Sequence, residues 1–283
     1  MANASGIPPG YEAVDPRTAR RVPLWQELGP DNPLFPGDPP FSYDVFTTIA
    51  ESGYLLERIT SLGTHTGTHI SAPAHVVEGA PTLGRLDESW TLMPLAVIDV
   101  RARITRGGGD FLVDVPALHG FEQRHGWFPQ AGCVLLLTGF SARFDAARFD
   151  AARHDAGRHD AARSSSGRSS SGRSTESGEQ SPADAGIAGD YFDPAPGFSP
   201  EAVAWLFETR GIIALGADSF GPDATSDTDL AATATALRHG GITVENVGPG
   251  LARMRPRGDW ISINGARPAF SGFQVGITGF TLP

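Results

Sequence analysis

The sequence predicts an α/β fold with a mixed sheet, and three observations support this class. Two apolar runs, LAVIDVRARI at 95–104 and CVLLLTGF at 133–140, have the length and composition of buried strands, and we expect turns in the stretch between them. The segment SPEAVAWLFETRG at 199–211 has helical periodicity and helix-capping residues. A strand-like run, IIALGADS at 212–219, follows that helix directly, so strands and helices alternate along the chain.

The second half of the chain supplies the remaining elements. In the first helix, Ser199 is the expected N-cap, Pro200 the first helical residue and Gly211 the stop. A second helix is predicted over Leu230–His239, where Gly240 and Gly241 end it, and the strand ITVENV follows. The last segment, ARPAFSGFQVGITGFTL, alternates as an edge strand or a hairpin does.

A low-complexity segment at about 141–189 interrupts what otherwise reads as one domain over residues 1–283. Arginine recurs there every five residues, at Arg143, Arg148, Arg153, Arg158, Arg163, Arg168 and Arg173. A repeat of five residues does not place its members on a continuous apolar stripe of a helix. The second half of the segment also has few apolar side chains to bury. We therefore predict a disordered insertion, the alternative being an interaction tail or flexible lid. His154 and His159 belong to the repeat and are discounted as ligands.

Composition narrows the classes of partner. The 283 residues carry a net charge of −10, which argues against unaided binding to nucleic acid or to an anionic membrane. No apolar run is long enough to cross a bilayer, and the first twenty residues contain no apolar signal segment. Cys133 is the single cysteine, which excludes an internal disulfide and a cysteine-based zinc cluster. We expect a cytoplasmic protein that acts on a small molecule.

The segment THTGTHISAPAH at 64–75 is the part of the sequence that indicates chemistry. It holds three of the eight histidines, His65, His69 and His75, among small residues that leave space for an ion. A straight strand would separate His65 from His69 by about 13 Å, too far to share an ion. We therefore expect a strand end that bends at Gly67 and Pro73 into a tight ligand loop. The alternative is a cluster of histidines satisfied by hydrogen bonds.

This pattern, H-x-G-T-H-x-S-x-P-x-H, resembles the signature H-x-G-T-H-x-D-x-P-x-H of the cyclase family. Further blocks follow the family's order: FPGDP at 35–39, LLTG at 136–139, GADS at 216–219 and ITVEN at 242–246. The resemblance implies a swivelling β/β/α-type fold, with a mixed sheet or barrel-like core and flanking helices. It also implies a bound divalent metal, a homo-oligomer, and hydrolysis of an amide such as that of N-formylkynurenine.

Two residues depart from the family pattern. Ser71 stands where the family has an Asp, and Thr233 stands where it has a His, whereas Glu245 is retained. A second divalent cation would lack anionic ligands, so we expect one metal, with zinc favoured over manganese. Its expected ligands are His65 and His69, completed by His75, Glu245 or water.

Roles within this set follow from chemistry and resemblance. We expect His75 and Glu245 to be catalytic, although the sequence leaves open whether His75 is a ligand or the acid that protonates the leaving amine. Trp25, Phe35 and Ser71 are the expected substrate contacts, because aromatic side chains flank the motif and could line an aromatic pocket.

Two other readings compete with a metal hydrolase. The segment ADSFG at 217–221 faintly resembles a nucleophile elbow around Ser219, but the histidine downstream, His239, comes too soon for the usual arrangement. The chain could also be a catalytically degenerate relative that binds a small aromatic or acyl ligand, since two ligand positions are lost. Metal analysis and a formamide hydrolysis assay separate these readings.

Overall fold

A closed barrel of seven strands forms the centre of the protein, in a computed structural model that describes residues 7–15, 17–143 and 194–282. The strands are β1 (Arg20–Pro23), β2 (Ser42–Thr47), β3 (Leu56–Ser61), β4 (His69–Ser71), β5 (Leu92–Asp99), β6 (Leu112–Val113), β7 (Cys133–Leu137), β8 (Gly197–Phe198), β9 (Ala214–Ala217), β10 (Ile242–Glu245), β11 (Arg257–Gly265) and β12 (Gly272–Thr281). The order around the barrel is β12-β11-β5-β7-β9-β10-β4, and β4 closes the barrel by pairing with β12. Strand β1 also pairs with β12 but is not part of the closed barrel.

Short helices flank the barrel. They are α1 (Ile49–Ser52), α2 (Arg101–Gly107), α3 (Val115–His125), α4 (Pro200–Trp205) and α5 (Ala231–Arg238). A π-helical segment, Leu206–Arg210, continues α4, and 3₁₀ turns cover Pro73–His75, Leu83–Arg85, Ser89–Thr91 and Pro249–Arg253. The mixed barrel with few helices confirms the predicted α/β class and its barrel-like core.

The core has two parts that share the barrel wall. One cluster fills the barrel with alternate residues of the strands, among them Leu95, Leu135 and Ile261. The other joins the outer face of β5 and β7, for example Val134, to α3 and α4. Because β5, β7 and β9 are parallel and buried on both faces, their sequences are nearly uninterrupted apolar runs.

The helix and strand predictions in the second half of the chain are confirmed. The Ser199 hydroxyl accepts a hydrogen bond from the amide of Ala202, and Gly211 ends the π-helical extension with φ of 64°. The second predicted helix is α5, and the strand predicted after it is β10. The capping residues and the glycines therefore predicted these boundaries correctly.

Three details differ from the prediction. The end of LAVIDVRARI is not strand but helix α2, and α3 occupies a stretch expected to be turns. The side chain of Asp114 caps α3 by accepting from the amide of Ala117, with Pro116 in the first turn. β12 forms a hairpin with β11 as expected, but it is not an edge strand, because it also pairs with β1 and closes the barrel against β4.

Strands β2 and β3 form a separate two-stranded ribbon with α1 between them. We call residues 42–61 the β2–β3 arm. Both faces of the arm are largely exposed, and so are its large apolar side chains, of which Phe46, Ile49 and Ile59 are more than half exposed. Within the described parts of the chain, nothing covers this apolar surface.

The predicted insertion lies, from residue 144 to its end, outside the described residues, and so do His154 and His159. Strand β7 before it and β9 after it are parallel neighbours in the barrel. In the described ranges, no helix is long and apolar enough to cross a bilayer.

Candidate active site

The histidine segment lies at the closure of the barrel. β4 pairs with β10 on one side and β12 on the other, which places His69 opposite Glu245 and Gln274. Gly67 has φ of 66°, a left-handed conformation that turns the chain just before β4. The turn brings the ring centroids of His65 and His69 to 5.1 Å, far closer than a straight strand allows.

His69 and Glu245 form the buried centre of the site. His69 Nδ1 lies 2.9 Å from the carbonyl oxygen of Gly67; a carbonyl only accepts, so Nδ1 carries the hydrogen. In the neutral imidazole, Nε2 then bears a lone pair, and it lies 3.3 Å from Glu245 Oε2 with no hydrogen-bond partner. Two lone pairs facing each other in a buried place require a proton or a cation between them.

The charges of this pair shift both titrations. Burial acts to lower the pKa of His69, but the charge of Glu245 outweighs it, and the pKa is raised. Burial acts to raise the pKa of Glu245, but His69 and the Thr243 hydroxyl bring it down to about 2. Glu245 is therefore an anion at neutral pH, and a cation at Nε2 of His69 stabilises it.

Ser71 connects His65 to the same carboxylate. Its hydroxyl donates to Glu245 Oε1 at 3.2 Å and lies 3.2 Å from His65 Nδ1. Because the single hydroxyl hydrogen goes to Glu245, the oxygen accepts from His65 Nδ1, which leaves Nε2 of His65 as a second lone pair. Burial, together with His69 and His75 nearby, lowers the pKa of His65 to about 4, so this ring is neutral near pH 7.

His75 has a different setting from the other two imidazoles. It ends the 3₁₀ turn that begins at Pro73, and its side chain is exposed at the cavity. Its ring centroid lies 4.3 Å from that of His65. The bend expected at Pro73 is therefore present, and it places one solvent-accessible imidazole beside two less accessible ones.

The position of Thr233 is on α5, facing the same cavity. Its hydroxyl donates to Asp223 Oδ2 at 2.5 Å, and Asp223 also accepts from the amide of Ala232 at 2.7 Å. Asp223 thus accepts a hydrogen bond from a backbone amide at the start of α5, where Leu230 has φ of 51°. Burial raises the pKa of Asp223 to about 6 despite these hydrogen bonds.

These residues line one cavity of about 390 Å³. Phe35 and Phe220 lie in its wall with ring centroids 6.3 Å apart. The lining consists of Pro33, Phe35, Pro36, Gly37, Asp38, His65, His69, His75, Phe220, Asp223, Leu230, Thr233, Glu245 and Asn246.

Two expected substrate contacts lie elsewhere. Ser71 is fully buried and does not line the cavity, so it contacts His65 and Glu245 instead of a ligand. Trp25 is also absent from the lining; its side chain is half exposed, and its backbone packs closely against Gly248.

Asp38 and Asp223 line the cavity and were not among the expected site residues. Asp38 lies in the FPGDP block, which carried a weak signal. The only sequence signal for Asp223 is its position in a turn before a predicted helix.

The arrangement around Ser219 does not support a nucleophile elbow. Its buried hydroxyl donates to the carbonyl of Gly221 at 3.3 Å, and no imidazole of the described residues partners it. The neighbouring Asp218 accepts hydrogen bonds from the amides of Thr138 and Gly139 at 2.6 and 2.8 Å. Asp218 is therefore a structural carboxylate that fixes the turn after β7.

The donor set for a metal is small. Within residues 7–15, 17–143 and 194–282, no group of three or more His, Cys, Asp and Glu side chains is arranged to hold a metal ion. His69 Nε2 and Glu245 Oε2 nevertheless face each other across 3.3 Å, and His65 stands beside them. Such nitrogen and carboxylate donors fit one divalent ion whose remaining ligands include water.

A closed mixed barrel with imidazoles and a carboxylate gathered at the closing strand defines the class: an α/β barrel with a histidine-carboxylate cavity. The sequence profile of the Cyclase family matches residues 19–224. The chain belongs to this family, which confirms the family resemblance.

Two kynurenine formamidases are similar to part of the chain. A kynurenine formamidase from Bacillus anthracis is 36% identical over 84 residues, which are 30% of this chain and 40% of that protein. A kynurenine formamidase from Geobacillus thermodenitrificans is 38% identical over 77 residues, 27% of this chain and 37% of the relative. The chain thus spans about 40% of the length of the curated relatives that it matches.

Solved structures share the fold at low identity. Isatin hydrolase A from Ralstonia solanacearum is 23% identical with a TM-score of 0.70, covering 93% of this chain and 92% of its own. An isatin hydrolase bound to the product analogue thioisatinate gives 16% and 0.73, covering 94% of each chain. A predicted metal-dependent hydrolase from Bacillus stearothermophilus gives 14% and 0.57, covering 93% and 98%. These neighbours confirm the cyclase-type fold.

Proposed function

We propose that this protein is a metal-dependent hydrolase that cleaves an amide bond of a small aromatic molecule, of the kind found in N-formylkynurenine. The observation that carries the proposal is the buried pair of His69 Nε2 and Glu245, which face each other without a hydrogen bond and line a cavity with His75. The relatives named kynurenine formamidase support this reaction class. A neighbour described as a metal-dependent hydrolase supports the cofactor.

The proposed cofactor is one divalent metal, zinc in preference to manganese. His65, His69 and Glu245 are its proposed ligands, completed by water, and His75, the least buried of the three imidazoles, is assigned to proton transfer. A second ion is not proposed, because Ser71 and Thr233 are neutral at the two departing positions. When bound, such an ion lowers the pKa of a coordinated water to about 7 and polarises a carbonyl group.

The side chains of this chain supply the other parts of the reaction. Glu245, fixed by Thr243 and Ser71, accepts a proton from the attacking water. His75 is exposed at the cavity and can exchange protons with solvent, so it protonates the leaving amine. Phe35 and Phe220 pack against the aromatic ring of the substrate.

The test compares two single substitutions with the wild type. His69→Ala removes the buried ligand, so bound zinc and hydrolysis of N-formylkynurenine or formanilide should both fall at least about 100-fold. Ser219→Ala is the control and should retain most activity, since the Ser219 hydroxyl donates to the carbonyl of Gly221 within its own turn. Metal content and turnover are measured on the same preparations. Activity that survives chelators but is lost in Ser219→Ala would overturn the metal hydrolase.

A second candidate function is binding without catalysis of a small aromatic or acyl ligand. It is favoured by the same small donor set, in which no three-residue metal group is formed among the described residues. Zinc-loaded protein that binds formanilide saturably without hydrolysing it would select this function.

We also propose that the chain forms a homo-oligomer through the β2–β3 arm, whose apolar side chains are uncovered in the described structure. Light scattering should give a multiple of 29.8 kDa, and Ile59→Glu should reduce it. A cytoplasmic location stays a prediction based on the single cysteine, and the net charge of −10 still argues against nucleic-acid and membrane partners.

A further inference from the structure

We infer that the cavity selects aromatic molecules whose free end is uncharged or carries an ammonium group, with Asp38 as the specificity-determining residue. The inference deepens the proposed function by naming its substrate class: aryl amides without a carboxylate at that end, so that simple formanilides rank above N-formylkynurenine, whose amino-acid end carries a carboxylate. It rests on the proposed function only for the amide bond, since the charge preference belongs to the cavity itself.

The charges of the lining carry the first step. Three carboxylates line the cavity, those of Asp38, Asp223 and Glu245, and the described lining contains no arginine. Lysine is absent from the whole sequence. A bound divalent ion would offset two of these three charges, so the side chains still favour a cation over an anion. Within the described lining, a ligand carboxylate would meet no guanidinium or ammonium group to pair with it.

Hydrogen bonding decides which carboxylate meets the ligand. Glu245 is held by Thr243 and Ser71 and faces His69, and Asp223 is held by Thr233 and the start of α5. Asp38, by contrast, makes no side-chain hydrogen bond or ion pair within the described residues. It lines the same cavity as His69, His75 and Glu245, so its charge is available to a ligand bound there.

The position of Asp38 suits a ring with a basic substituent. Its amide donates to the carbonyl of Phe35 at 3.0 Å, in a turn where Gly37 has φ of 97°, so carboxylate and ring belong to one compact loop. Phe220 lies beside Phe35 in the same wall, with the ring centroids 6.3 Å apart. An aromatic ligand can therefore contact these rings while an ammonium substituent reaches Asp38. Buried His69 lines the same cavity, and its Nε2 has no hydrogen-bond partner among the described residues, which marks the cavity as a ligand site.

The experiment uses three formanilides of similar size, with 4-aminomethyl, 4-methyl and 4-carboxy substituents. Dissociation constants are measured on metal-free protein by calorimetry, and KM values are measured on zinc-loaded protein. The wild type should bind the 4-aminomethyl compound about tenfold more tightly than the 4-carboxy compound at low salt, and less selectively at high salt. Asp38→Asn should reduce that ratio about threefold to tenfold by changing both constants in opposite directions. Asp31→Asn, an exposed acid seven residues earlier, is the matched control and should leave the ratio unchanged.

The outcomes separate this inference from the proposed function. A wild type that prefers the 4-carboxy compound, or an Asp38→Asn variant with an unaltered ratio, overturns the inference. Charge-selective binding without hydrolysis of any formanilide supports the inference and rejects the hydrolase. Circular dichroism of Asp38→Asn shows whether the variant retains the wild-type secondary structure, and the neutral 4-methyl compound reports on the cavity independently of charge.

Discussion

Ser71 shows how one residue changes the electrostatics of this site. A carboxylate here would add a second negative charge next to Glu245, whereas the hydroxyl passes a hydrogen bond from His65 to Glu245 and adds none. The second departure, Thr233, is also uncharged, and its hydroxyl donates a hydrogen bond to Asp223. The site thus retains one largely buried carboxylate that faces an imidazole.

The first prediction concerns the number of metals. Wild-type protein should hold at most one tightly bound ion per chain, because a second would be left without charge compensation. The double substitution Ser71→Asp with Thr233→His should recover a second, since it adds an anion and a nitrogen donor that serve the same ion. Either change alone should do less, so the two should be non-additive. Elemental analysis after identical zinc loading measures this, and two ions in the wild type would contradict it.

Residues of this site differ in how well the sequence predicts them. The three histidines are close in sequence, so their pattern could be recognised without a fold. Asp38 and Asp223 join them only through long-range packing, and no local pattern distinguishes them from ordinary turn residues. Ser71 was recognised as a departure, but its role as a hydrogen-bond relay depends on which atoms surround it.

Elements were predictable where the signal was local. Ser199, Pro200 and Gly211 specify the limits of one helix with its π-helical extension. Helix α3 has an equally clear start at Asp114, but its apolar residues are few and only Leu118 and Phe121 are buried. Partner strands, by contrast, are not encoded locally. β12 is predicted as an edge strand or hairpin, and its neighbours β1 and β4 come from distant parts of the chain.

The second prediction concerns the contact between α3 and the π-helical segment. Arg210 donates to both carboxylate oxygens of Glu122 at 2.6 and 2.8 Å and lies over the ring of Trp205. Burial acts to raise the pKa of Glu122, but Arg210 outweighs it and the pKa is lowered. The carboxylate therefore stabilises the fold above its unfolded pKa of about 4.3, and this contribution is lost as pH falls through the folded pKa.

Glu122→Gln should consequently destabilise the protein by about 1–2 kcal/mol at pH 7 and by less at pH 3. Urea unfolding at both pH values measures the difference. Glu208→Gln is the control, since Glu208 is exposed and its partner is His239, and it should cost less than about 0.5 kcal/mol. An equal loss for Glu122→Gln at both pH values would show that packing, not the ion pair, makes the contact.

At the scale of the whole molecule, the repeat segment and the barrel are separable in sequence. Strands β7 and β9, which precede and follow it, are neighbours in the barrel, and the described lining of the histidine cavity comes from residues 33–75 and 220–246. We predict that replacing residues 144–187 with a short Gly/Ser linker leaves the unfolding midpoint and zinc content unchanged. Thermal unfolding and elemental analysis test this, and loss of either property would make the segment part of the structure.

The closing of the barrel by β4 also determines at which stage of folding the site can form. The hydroxyl of Ser71 meets the carboxylate of Glu245 across 174 positions, and Thr68 meets Asn246 across 178. During synthesis the histidines emerge early, yet the anion that faces His69 arrives only after most of the chain has been made. Contacts of such long separation form slowly, because a large loop must first close. Until then the nascent chain exposes the three histidines and an unpaired sheet edge. The proposed metal site is therefore completed only late in folding.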